Sequence, residues 1–305
     1  MAKVSNIGTR NVPFEEALQE FLLMRKAGGV SKTTLSDDDY HITKFIERAG
    51  TWCNVPKAAI EYMTQDMSNN YFNLRLKSLK LFFAFCVDEE YMESNPLQEW
   101  KQRRVESRIV NIDEDVLKEL LKLPNQKTFA GLRDYALILL QLDTGIRPKE
   151  AMSLTKGDMC FKQLLVNVQS CFAKTRVSRS LPISLVTAKA IKKLLDNHHE
   201  SWRTNLVFCT HEGAPMNRRT WSNRMLKYSK KLHTSVKPYD LRHCFALQFL
   251  RAGGNIFALQ RMMGHANLSM TSKYLALCNE DIRAQHTQNS PLNALTSAKR
   301  VSKSK

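Results

Sequence analysis

Apolar residues recur at helical spacing along most of the chain, and only two short runs, Gln163 to Val168 and Ser180 to Ile183, read as extended. A period near 3.6 lets each helix bury one stripe, whereas a single extended pair supports no more than a small hairpin. The expected fold class is therefore mainly α with a small β-hairpin or sheet.

The helical stretches fall into two groups. In the first, Phe14, Ala17, Leu18, Phe21 and Leu22 follow Pro13, which suits a first helical turn, and predict a helix over Pro13 to Lys26. Ser31 to Ala49 has a Ser/Thr-rich entry, places Tyr40, Ile42, Phe45 and Ile46 on one face and stops near Gly50. Ser68 to Val87 is a third helix, with Leu74, Leu76, Leu79, Phe82, Phe83 and Phe85, and Pro96 closes the region. These define a helical domain over residues 12–103, preceded by a loose N-terminus at 1–11. The basic segment from Lys101 to Arg108 holds Lys101, Arg103, Arg104 and Arg108 against Glu106, and marks a linker over 104–111. It reads either as a solvated helix end or as a strap across a phosphate backbone. A second domain spans 112–292, with helices at Asp113 to Leu121 and Gly131 to Leu142, and a basic tail occupies 293–305.

Charge narrows the partner. The 46 Lys and Arg against 29 Asp and Glu leave a net charge of +17, which favours a polyanion such as nucleic acid but fits other basic proteins too. The longest apolar stretch, Tyr135 to Leu142, cannot span a bilayer and Met1 to Arg10 lacks a signal-peptide core, so a cytoplasmic protein is expected. Seven single cysteines without a paired spacing argue against a disulfide framework and a zinc site, and no P-loop or carboxylate cluster is present. No cofactor or metal is expected.

Phosphate chemistry enters through arginines placed at turns. Thr144 to Glu150, TGIRPKE, sets Arg147 at a glycine-marked junction between helices. A guanidinium fork held there suits phosphate oxygens, or alternatively a structural pair with Glu150. Tyr239-Asp240-Leu241-Arg242-His243 opens an apolar helix that stops at Gly253-Gly254. Gly264-His265 follows, and Tyr274 lies nine residues beyond His265.

Taken in order and spacing, Arg147 in TGIRPKE, Arg242 in DLRHCFA, the run Leu259 to His265 and Tyr274 resemble the signature of the tyrosine recombinases, the phage integrase family. The resemblance covers residues 12–292. It implies a two-domain architecture, a helical SAM-like core-binding domain followed by a mixed catalytic domain, gripping DNA as a clamp. It also implies site-specific DNA recombination, with Tyr274 as nucleophile forming a 3′-phosphotyrosine while Arg147, Arg242 and His265 hold the phosphate. A free phenol, with a pKa of about 10, is ionised to roughly one part in a thousand at neutral pH, so such neighbours are needed. The family's hairpin lysine, which would protonate the leaving oxygen, corresponds to Lys174 in Ala173-Lys174-Thr175-Arg176, with Arg176 the rival if the register slips.

One position departs from the family: Tyr239 stands where histidine is common, three before Arg242. A phenol can donate a hydrogen bond to phosphate but is a poor base, so Tyr239 reads as a phosphate contact, a packing residue or a mark of lost activity. Glu150 is expected to orient Arg147, and His243 to pack within its helix. Arg218, Arg219 and Arg224, with Lys227, Lys230 and Lys231, read as a DNA-facing helix packed through Trp221, Met225 and Tyr228, or as a solvated face.

The expected partners follow from the resemblance: double-stranded DNA, a homodimer on each site, a homotetramer in a synapse and an accessory directionality factor, with no membrane. The role would be integration or excision of a phage or mobile element. The alternative reading is a DNA-binding regulator that keeps the fold without strand exchange. A relaxing topoisomerase is a third.

Overall fold

The computed structural model describes residues 12–105, 110–170, 177–275, 286–287 and 290–292. It divides into two compact units, 1–106 and 107–305.

In the first unit, α1 (Phe14–Ala27), α2 (Lys32–Ala49), α3 (Val55–Met63) and α4 (Asn69–Asp88) close around Phe21, Ile42, Phe45, Leu76, Leu79, Phe82 and Phe83. Ser31 and Ser68 cap α2 and α4 by accepting the backbone N–H of Thr34 and Tyr71. Tyr40 does not share the core face expected of it and is 53% exposed. Two residues before Ile42 on a helix is about 200° around the axis, so the two side chains cannot point the same way. α3, too short for its period to stand out in the sequence, buries Val55, Ala58, Ala59, Tyr62 and Met63. One buried charge, Asp38, is answered by Arg25 at 3.0 Å and Ser78 at 2.7 Å.

The segment after α4 is pinned along that helix. Asn73 donates to the Arg103 carbonyl and accepts from its N–H, both at 2.8 Å, and Asn69 donates to the Arg104 carbonyl at 3.1 Å. The Arg103 guanidinium lies 3.7 Å above the Phe72 ring. Lys101, Arg103 and Arg104 are exposed.

The second unit contains α5 (Glu114–Lys122), α6 (Phe129–Thr144), α7 (Pro148–Met152), the strands β1 (Met159–Cys160), β2 (Leu165–Val168) and β3 (Arg179–Pro182), then α8 (Leu185–Asp196), α9 (Arg218–Leu232), α10 (Pro238–Arg251), α11 (Ile256–Met263) and α12 (Leu268–Leu275). The expected hairpin gains a third strand: the sheet is an antiparallel meander in the order β1-β2-β3, with Val166 opposite Leu181. α6 runs through the core with Leu137, Ile138 and Leu140 fully buried. Trp221 of α9 donates from Nε1 to Gln141 of α6 at 2.9 Å, and Gln141 donates to the Pro238 carbonyl at the head of α10 at 3.1 Å. Those two bonds tie α6 and α9 to the head of α10.

A buried polar knot locks α6 to α9. Asp134 accepts from Arg133 through Oδ1 at 2.8 Å, and through Oδ2 from the Tyr228 hydroxyl at 2.7 Å and Arg224 Nε at 2.5 Å. Removing one member of such a cluster strands the others, at a cost of about 3–5 kcal/mol. Asp134→Ala is expected to lower unfolding stability by about that much in urea titration, whereas a loss under 1 kcal/mol would show the knot to be dispensable.

Candidate active site

Gly145 caps α6 in the left-handed conformation at φ +63°, and the Phe245 ring occupies the place where a Cβ would sit. The chain can therefore turn sharply into Arg147, and Pro148 starts α7 at once. Glu150, one turn into α7, accepts the Arg147 backbone N–H at 3.2 Å and its Nη1 at 2.9 Å. The Nη2 of Arg147 donates to the Gly264 carbonyl at 2.9 Å.

Glu150 carries a second guanidinium, Arg179 from β3, at 2.6 Å, and Arg179 Nε donates to the Met262 carbonyl at 2.9 Å. Burial alone would raise the Glu150 carboxyl, but the hydrogen bonds and charges of Arg179 and Arg147 outweigh it and hold the group below its ordinary value. The pairing of Arg179 with a carboxylate 29 positions away leaves no local signal.

Arg242, in the first turns of α10, is wholly buried. Its Nη1 donates to the Gly145 carbonyl, and its Nη2 to the Met263 carbonyl at 2.7 Å and to His265 Nε2 at 3.0 Å. Its Nε–H finds no acceptor among the described residues. Burial first, then the nearby Arg147 charge, lowers its pKa to about 10, which leaves it cationic at neutral pH.

His265 follows Gly264, the left-handed cap of α11. An arginine can only donate, so His265 Nε2 accepts, Nδ1 carries the proton, and Nδ1–H donates to Thr271 Oγ1 at 2.9 Å. Burial, reinforced by Arg242, Arg147 and Arg179, depresses His265 to about 4.

Tyr274, on α12, is 4% exposed and packs with Phe245, Leu259 and Met263. Its hydroxyl lies 2.8 Å from His243 Nδ1. Burial raises the phenol to about 12 against the opposing pull of Arg242 and Arg147. Tyr239 is 46% exposed, with its ring centroid 5.3 Å from that of His243 and 5.9 Å from the Arg242 guanidinium carbon.

The structure thus gathers Arg147, Glu150, Tyr239, Arg242, His243, His265 and Tyr274 in one place. His243 packs on Tyr239 of its own helix, as expected, and in addition meets the Tyr274 hydroxyl that α12 brings to its ring. One expectation needs correction. Arg224 is not a free DNA-facing cation, because its guanidinium is committed to Asp134. Arg218 and Arg219 remain exposed on α9. Lys174 and Arg176 lie outside the described residues.

Solved structures share this architecture. The Tn1549 transposon integrase in complex with a circular intermediate DNA superposes with a TM-score of 0.69 at 19% identity, covering 85% of this chain and 94% of that one. A lambda integrase dimer bound to a core site gives 0.67 at 16%, covering 84% and 96%. The fold is that of a tyrosine recombinase. Residues 110–280 match the phage integrase family, and the chain belongs to that family. Among curated relatives, the tyrosine recombinase XerC of Shewanella amazonensis is 30% identical over 219 residues, 70% of this chain and 72% of the relative. That of Bacillus subtilis is 25% identical over 287 residues, 90% and 87%.

The His265 environment predicts a pH dependence. Its folded pKa of about 4 lies below the ordinary 6.5, so between those values the unfolded chain takes up a proton that the native site refuses. Stability is expected to fall as pH drops from 6.5 towards 4. His265→Asn should flatten that limb in thermal melts across the range, and an unchanged limb would count against the assignment.

Proposed function

We propose that this chain carries out site-specific DNA recombination through a 3′-phosphotyrosine at Tyr274, serving the integration or excision of a phage or mobile element. The observation that carries this reading is a tyrosine hydroxyl buried within reach of the Arg242 and Arg147 charges, which arrive from two separate elements. In this reading a DNA phosphate enters among Arg147, Arg242 and His265. Arg147 spends only part of its five-donor fork on Glu150 and Gly264, and Arg242 keeps an unsatisfied Nε–H, so both retain donors for non-bridging oxygens. Tyr239, exposed at the rim, donates a further hydrogen bond.

Tyr274 Oη attacks phosphorus in line, and the 5′-oxygen leaves with a proton from Lys174. The phosphotyrosine keeps the energy of the broken phosphodiester, so a second 5′-hydroxyl reseals the strand without a nucleotide cofactor. Double-stranded DNA is the substrate, with two protomers on each crossover site, four in a synapse and an accessory factor setting direction. Exposed Lys101, Arg103, Arg104, Arg218 and Arg219 supply backbone contacts.

The test is a nicked suicide substrate carrying the element's flanking sequence, run on a denaturing gel beside Tyr274→Phe. A slow-migrating adduct, lost in the variant, is the expected result. Tight binding with no adduct would replace this reading with that of a DNA-binding regulator.

A further inference from the structure

Two imidazoles border the Tyr274 cluster. His265 has both nitrogens committed, Nε2 to Arg242 and Nδ1 to Thr271. His243 points Nδ1 at the Tyr274 hydroxyl, 2.8 Å away, with the two rings inclined at 42°. Tyr239, the side chain three before Arg242, is a phenol and cannot act as a base near neutral pH. A phenol pushed up to about 12 is ionised to only about one part in a hundred thousand at pH 7, so attack by a preformed phenolate is rare. The proton must leave as the bond to phosphorus forms.

We propose that His243 is a catalytic residue of strand cleavage, the base whose Nδ1 takes the Tyr274 proton as Oη attacks phosphorus. The proposal rests on the recombinase reading above. The Tyr274 O–H bond breaks and its electron pair becomes the Oη–P bond. The P–O5′ bond breaks, and O5′ departs with the proton that reading assigns to Lys174. His243 becomes an imidazolium, and on religation it returns its proton to Oη as the tyrosine leaves.

The charged and titratable groups around this pair are Tyr239 and Arg242 on the same helix, Tyr274 on α12, His265 ahead of α12 and Arg147 ahead of α7. Negative charge growing on Oη favours proton uptake by the imidazole beside it at the moment of attack. His243 is half-buried rather than sealed, which leaves solvent a route to exchange that proton.

The full chain is tested on paired nicked suicide substrates, one with the ordinary 5′-bridging oxygen and one with 5′-bridging sulfur, which leaves without protonation. His243→Asn keeps a hydrogen-bonding atom at the Nδ1 position but cannot take a proton. It is expected to bind the site like the wild type and to form adduct about 10²–10⁴-fold more slowly, with no recovery on sulfur. His243→Ala should regain rate with added imidazole in proportion to the free-base fraction. Adduct formation by His243→Asn at the wild-type rate, recovery on sulfur, or an Ala variant that binds normally yet ignores imidazole would each overturn the proposal. A wild-type protein that forms no adduct would overturn this proposal and the recombinase reading together, whereas wild-type adduct with an unaffected His243→Asn removes this proposal alone.

Discussion

Glu150 pairs two guanidiniums of the site, Arg147 and Arg179, and the geometry of the site depends on it. A carboxylate this deep is tolerable only when paired, and Arg147 and Arg179 pair it from two directions. Each arginine then reaches a different backbone carbonyl near the end of α11, Gly264 for Arg147 and Met262 for Arg179. One negative charge thereby fixes the start of α7, the entry to β3 and the loop that presents His265. Counting Arg242, three positive charges face one negative, so the folded cluster keeps a local excess of two. An anion such as a phosphodiester is what that excess attracts.

Much of this was legible in the sequence because backbone constraints leave marks that side-chain pairings do not. Gly145 and Gly264 sit where the chain adopts positive φ, and each immediately precedes a segment carrying a site residue. That is why the motif around Arg147 could be read as a turn. The apolar stripes of α1, α2, α4 and α6 repeat over three or more turns and were visible for that reason. The helices α3 and α8 carry their stripes too, as Val55, Ala58, Ala59, Tyr62 and Met63, and as Ala188, Ile191 and Leu194, but over two or three turns that a reading of longer stretches passes over. β1 is two residues long and has no period to detect.

The basic residues show where a linear reading stops. Along α9, arginines and lysines follow one another without an acid, and nothing local separates a paired cation from a free one. The structure separates them by distance in sequence: Arg224 is consumed by Asp134, 90 positions earlier, while Arg218 and Arg219 stay in solvent. The same limit hid Arg179, whose partner Glu150 lies 29 positions earlier. The 46 Lys and Arg therefore overcount the cations open to a polyanion, since some, like Arg224, are already paired inside the fold.

The adjacency of Arg242 and His243 carries a more general point. Successive residues on a helix diverge by about 100°, so they ordinarily serve different neighbours. Here both serve one site, because α10 is flanked on the Arg242 side by the loops at Gly145 and Met263 and on the His243 side by α12. The guanidinium donates to two backbone carbonyls and holds the loops in register. The imidazole beside it stays half-buried against the tyrosine hydroxyl. A single turn of α10 thus supplies a fixed charge and a titratable group to one tyrosine, and which of the two faces the hydroxyl is decided by where α12 docks, a fact of tertiary packing that no spacing in the sequence encodes.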